Sequence, residues 1–328
     1  MRKIKGMDTS IFLFFLINAC FILIGSKTLV KLNGINSLLT VIIGTILGYF
    51  FINYMTHLLN KKKIKNNKFV LLLSSLICLF LTIYSGDKLT SFISYNMLEH
   101  VNVYVITISF LILVWYLASK KMDIIVRICE LFLFIFLIIF VIELISLVKY
   151  INFRDIVFNI KGIDGINLIN GINIYLVMTI APCFYLFFVN SDKYKSELKK
   201  GYILTSIYIL INVIMVIGIL GIDLIGIYKY PEVTILKKIS LLNIIDRMEN
   251  LLSINMFFSL FVFVSVNFYV FTEGLKKVFS IKKEKILYVV SFLFIFILIN
   301  RFKIDLFTFI LLLTGLIVIT IVNSLVKQ

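Results

Sequence analysis

Apolar runs of about 18 or more residues recur along the chain, each closed by a cluster of charges or by glycine and asparagine. Ten can be drawn. Five lie at about 9–31, 35–59, 69–95, 101–119 and 123–149, and five more at about 172–190, 201–222, 249–273, 286–302 and 305–325. Such runs predict bilayer-crossing helices, because a helix satisfies its own backbone polar groups in hydrocarbon. The expected fold is therefore an all-α membrane protein, a single polytopic domain over 1–328 with ten transmembrane helices. Longer polar stretches fall at about 150–170 and 223–248, and the first separates two sets of five. Five is odd, so a second set built like the first must sit upside down in the membrane. The pattern predicts a 5+5 inverted repeat, about 9–149 and 172–325, joined by an outer linker at about 150–170.

The first run is not uniform. Gly25-Ser26-Lys27-Thr28 places a glycine, two hydroxyls and an ammonium group inside it. At membrane depth, non-helical backbone is tolerated where it lines a cavity, and a lysine there is costly enough to suggest a function. An inverted repeat then requires an interruption in the sixth run, the partner of the first. Ala181-Pro182-Cys183 supplies it with one of only two prolines in the chain, which removes a hydrogen bond to Met178. Each break alone also reads as an ordinary kink, with Thr179 serving freed carbonyls. Together they predict a shared ligand site at broken helices 1 and 6, formed by Ile24, Gly25, Ser26, Lys27 and Thr28 with Thr179, Ala181, Pro182 and Cys183. Backbone groups of 24–28 would meet a ligand carboxylate at a half-helix N-terminus. Lys27 either pairs with an anionic group there or snorkels outward to headgroups.

Charge adds orientation. The formal +16 is spread over short clusters between apolar runs, which fits anionic membrane lipids and the positive-inside rule, and argues against nucleic acid. The dense clusters share the side of the N-terminal tail, so both termini are expected in the cytoplasm. Arg2, Lys3 and Lys5 with Ile17-Asn18-Ala19-Cys20 resemble a processing signal, but the residues after Cys20 stay apolar and the run reads as a retained first helix. All four cysteines fall in apolar runs without paired spacing. No nucleotide loop, metal-ligand cluster or nucleophile–base pair appears, so no enzyme, cofactor or metal is expected.

Several polar side chains remain inside the runs. Asp87 and Lys88 are adjacent, point about 100° apart and cannot pair along one helix face. Glu143 has no basic residue at helical spacing within its run; it is either a protonated carboxyl coupled to proton movement or a partner in an interhelical hydrogen bond. Ser265 and Asn267 belong to the most polar run, the eighth, as interhelical glue or as a cation site. Over 232–248 the pattern suits a short amphipathic helix, acting as a lid or as a static interfacial element.

The stretch Tyr230-Pro231-Glu232-Val233-Thr234-Ile235-Leu236-Lys237-Lys238-Ile239, followed by Ile245-Asp246-Arg247-Met248-Glu249, resembles the B subunit of spore germination receptors (GerAB-type permease). That family is a branch of the amino acid–polyamine–organocation superfamily. Ile24-Gly25-Ser26, Gly86-Asp87-Lys88-Leu89 and Val189-Asn190 match it as well. Where relatives carry a Gly-Glu pair before the sixth-helix break, Val177 and Met178 stand here. The resemblance implies a LeuT-like (APC) fold in the spore inner membrane. It implies a germinant receptor subunit that binds a small nutrient such as an amino acid and acts with an A subunit and a C lipoprotein subunit. Tyr230, Pro231, Asp246, Arg247 and Glu249 would form its outer-loop motif. Two alternatives stand beside this: an amino acid or amine transporter driven by protons or sodium, and an assembly subunit that binds no ligand.

Overall fold

Long stretches of Leu, Ile, Val and Phe, free of internal glycine and proline clusters, leave the backbone little choice but helix once water is excluded. The computed structural model describes residues 6–61, 68–98, 100–152, 164–189, 197–228, 230–237 and 249–325, and the regular structure among them is helical. The first half holds α1 (Gly6–Ile24), α2 (Ser26–Asn33), α3 (Ser37–Lys61), α4 (Lys68–Asn96), α5 (Val103–Ala118) and α6 (Met122–Val148). The second holds α7 (Gly165–Ile180), α8 (Glu197–Ile227), α9 (Pro231–Lys237), α10 (Glu249–Phe279), α11 (Glu284–Arg301) and α12 (Leu306–Leu325). Among the described residues, seven helices are long and apolar enough to cross a membrane, and the chain is an integral membrane protein. At about 1.5 Å per residue the 16 residues of α5 reach only about 24 Å, short of a hydrocarbon core of about 30 Å.

Burial separates the centre of the bundle from its periphery. In α1 the crossing stretch is 83% buried, whereas in α6 it is 28% buried, so α1 runs through the middle and α6 turns most of its surface outward. Close packing sets this arrangement. Gly201 of α8 lies against the backbone of α1, and a Cβ there would come within 3.0 Å of three Ser10 backbone atoms. Polar side chains tie the helices together inside the apolar core. The Tyr175 hydroxyl donates to Ser206 Oγ at 3.0 Å and shares a 2.8 Å hydrogen bond with Thr45 Oγ1, joining α7 to α8 and α3. Asn18 Nδ2 donates to Ser259 Oγ at 2.8 Å, joining α1 to α10. The four cysteines are buried free thiols.

Three departures from the expected boundaries have local causes. Helix α7 begins at Gly165, inside the stretch expected as linker, because Asp164 caps it by accepting from the Ile166 N–H at 3.1 Å. Gly171, at the boundary between the expected linker and the sixth run, is packed where a Cβ would collide with Asn33 and Thr40. Helix α8 bends at Gly221, whose φ of 70° and ψ of 166° lie outside the helical region. In the sixth run the α-helix ends at Ile180 and a 3₁₀ segment, Ala181–Phe188, follows with proline in its first turn. The break there is a change of winding within buried chain, and this 3₁₀ segment packs against α1.

Candidate functional site

The first run breaks as its sequence suggests. Gly25 adopts φ 80° and ψ 147°, a backbone conformation that a side chain disfavours, and α2 starts immediately after it. The groups freed at the end of α1 are recovered locally. Gly25 N–H donates to Phe21 O at 2.7 Å, Thr28 Oγ1 donates to Ile24 O at 2.6 Å, and the Tyr84 hydroxyl reaches Leu23 O at 3.4 Å. At the start of α2 the capping position is glycine and has no side chain to offer. The cap arrives from far along the chain. Ser26 N–H donates to Glu232 Oε1 at 3.0 Å, and Glu232 is the second residue of α9. Beside it, the Lys27 ammonium donates to Tyr228 O at 2.7 Å.

These groups edge a cavity of about 590 Å³. One wall is the break itself, with Ile24, Gly25, Lys27, Thr28 and, one helical turn on, Lys31. Across from it stand Tyr84 and Lys88 of α4, Tyr208 and Asn212 of α8, and Tyr230, Pro231 and Glu232 at the start of α9. Apolar side chains from α1, α4, α10 and α12, among them Phe21, Phe92, Leu260 and Leu306, complete the lining. The Lys88 ammonium lies 5.3 Å from the centroid of the Tyr84 ring, within cation–π range. Tyr230 is held edge-on against Phe92, ring centroids 5.2 Å apart.

Of the residues expected to bind a ligand, the cavity gathers Ile24, Gly25, Lys27 and Thr28 directly. Ser26 is fully buried beside it, and its hydroxyl has no hydrogen-bond partner among the described residues. The sixth-run residues stand elsewhere. Thr179, Ala181, Pro182 and Cys183 are buried in the packed interior and are not among the lining residues, and α7 contributes Ile174 instead. The Thr179 hydroxyl donates to Tyr175 O and Leu176 O, so it serves its own helix. Asp87 is half-buried next to Lys88 but does not line the cavity. Glu143 is buried on α6 with Oε1 unpartnered among the described residues. Asn267 accepts from the Tyr185 hydroxyl at 2.6 Å, which ties α10 to the 3₁₀ segment, and the Ser265 hydroxyl is buried without a partner among the described residues.

In the outer-loop motif, Tyr230 and Pro231 line the cavity, Glu249 opens α10, and Asp246 and Arg247 lie outside the described residues. So does most of the expected amphipathic helix. The described part, α9, buries Val233, Ile235 and Leu236 and packs against α2, α6, α8 and α10. Sequence reasoning gave no role to Glu232, Lys31, Tyr84, Tyr208 or Asn212. The spacing of Lys27 and Lys31 was a usable signal, since residues four apart share a helix face. For Glu232 no local signal exists, because its partner is 206 positions away.

A search of curated proteins finds no match. A family model described as spore germination protein (spore permease) matches residues 3–307, nearly the whole chain and every residue that lines the cavity. The chain therefore belongs to the spore germination protein family of membrane permeases.

Proposed function

We propose that this chain is the permease-like membrane subunit of a germinant receptor, and that a small nutrient such as an amino acid binds in the cavity beside the first-helix break. The observation that carries this reading is the placement of Gly25. The first run is broken by a left-handed glycine and opens its broken backbone, with Lys27 and Thr28, onto a 590 Å³ cavity of ligand size. In this reading the ten apolar runs form two inverted sets of five in a LeuT-like arrangement, with both termini cytoplasmic in the spore inner membrane. The contact between α1 and the 3₁₀ segment of the sixth run supports it, since the two interruptions belong together in such a repeat. An A subunit and a C lipoprotein are the expected partners, and the bound nutrient acts by shifting the subunit between states that those partners sense.

Germination of spores carrying Gly25→Val tests the reading. Lost response to nutrient, with the protein still present in the membrane and germination by a receptor-independent stimulus intact, is the expected result. An unchanged nutrient response would remove the cavity from the mechanism. A working transporter is the second reading, favoured by Glu143, a buried carboxyl on α6 with an unpartnered oxygen. Uptake of labelled amino acid into proteoliposomes holding the chain alone would select it.

A further inference from the structure

The anion position at the first-helix break is already taken. A half-helix N-terminus presents free N–H groups and a partial positive charge to whatever carboxylate approaches it. Here the approaching carboxylate belongs to the chain: Glu232 accepts from Ser26 N–H at 3.0 Å. A zwitterionic ligand seated with its carboxylate on this N-terminus would have to displace α9, whose Val233, Ile235 and Leu236 are buried against neighbouring helices.

The remaining charges point the other way. Three lysines, Lys27, Lys31 and Lys88, line the cavity against one carboxylate among the described lining residues, Glu232, which leaves an excess of two positive charges. An ammonium group has three donors. Lys27 spends one on Tyr228 O, and Lys88 faces the Tyr84 ring. Like charges collected around a cavity with mostly apolar walls repel one another more strongly than they would in water, and an anion is the ligand that relieves this. The apolar walls formed by Phe21, Phe92, Leu260 and Leu306 require a carbon body between the anionic groups.

We infer that the cavity selects a small organic dianion, two anionic groups on a short apolar chain, received by Lys27, Lys31 and Lys88 while Glu232 keeps the helix cap. This rests on the cavity being the ligand site, and the test separates the two claims. The full-length chain is reconstituted in phosphatidylcholine nanodiscs, which supply no anionic headgroups, and binding is read by calorimetry at pH 7 with glutarate, L-alanine and n-butylamine as probes. Glutarate is expected to bind about tenfold or more tighter than L-alanine, the factor that one charge-assisted hydrogen bond supplies. Lys31→Gln and Lys88→Gln should each weaken glutarate about tenfold while moving L-alanine little. Glu232→Gln keeps an acceptor for Ser26 and deletes a negative charge, so it should tighten glutarate by roughly fivefold, a gain that misfolding does not produce. L-alanine binding as tightly as glutarate, and lost in Gly25→Val, would overturn the dianion and leave the cavity as the site. Binding indifferent to Gly25→Val, or no binding of any probe to the unaltered chain, would overturn both.

Discussion

Replacing Gly25 by alanine isolates the strain stored at the break. Its φ of 80° and ψ of 147° lie near a region that residues with a Cβ enter at a cost of about 1–3 kcal/mol. Space is not the obstacle, because the nearest atom to an added Cβ is Lys27 N at 3.9 Å. Alanine also narrows the unfolded ensemble, which returns about 0.4–1 kcal/mol, so the net loss should be about 1–2 kcal/mol. Two other glycines calibrate it. Gly201→Ala has no backbone strain but drives a methyl group into Ser10 backbone, which cannot swing aside as a side chain can. It should cost about 3 kcal/mol or more, at or beyond the top of the overpacking range. Gly165→Ala meets nothing within 4 Å and should be neutral or slightly stabilising. Equilibrium unfolding of the three purified variants in mixed micelles with rising sodium dodecyl sulfate gives the order. If Gly25→Ala matched Gly165→Ala, the break would not hold a left-handed residue; if it matched Gly201→Ala, contact and not strain would govern the site.

Three further outcomes follow from named contacts. Glu232→Ala removes the cap that α9 gives α2 and should cost about 1–3 kcal/mol, the range for a lost cap with a charged acceptor, with faster hydrogen exchange at the Ser26 amide; unchanged exchange there would deny the cap. Tyr175→Phe deletes two bonds joining α7 to α3 and α8 and should cost about 1–2 kcal/mol by the same unfolding assay, with no change in the family of ligands bound. Between the eighth and ninth apolar runs, Lys276 holds the exposed Glu284 carboxyl below its ordinary value of 4.5. A depressed carboxyl stabilises above that value and ceases to as pH falls through its lowered one, so titration of Glu284 by NMR should show its midpoint rise toward 4.5 in Lys276→Gln.

Period and length carried most of the fold. A helix stands on every apolar run, and most ends fall within a few residues of those expected; α7 starts earlier, where Asp164 caps it. Gly165 looked like linker and Gly171 like its boundary because a glycine has no side chain to advertise its packing, and only the approach of Asn33 and Thr40 shows why Gly171 is helical. The break at Gly25 was legible because glycine, hydroxyls and lysine inside hydrocarbon violate the composition around them. Pro182 was legible for the same reason, but proline states only that the α-helical ladder stops. Whether the chain then opens into a cavity or tightens into a buried 3₁₀ turn depends on the volume of its neighbours, which no local pattern records.

The cap at Glu232 shows why half of this site was beyond local reading. A helix that restarts after a glycine needs acceptors for its first N–H groups: Thr28 N–H reaches Gly25 O at 3.1 Å, but Gly25 has no side chain to cap Ser26 N–H, and the Thr28 hydroxyl is turned back to Ile24. The acceptor comes from α9, and from the same connection Tyr228 O holds Lys27. Two bonds, made by adjacent residues of the break to a loop some 200 positions later, therefore fix the direction in which α2 leaves α1. The break is then a joint between the first run and the α8–α9 connection, and each holds the other in place. Anything that draws the α8–α9 connection away uncaps α2 and frees the Lys27 ammonium in one movement, so the cavity wall at the break and that connection are mechanically coupled.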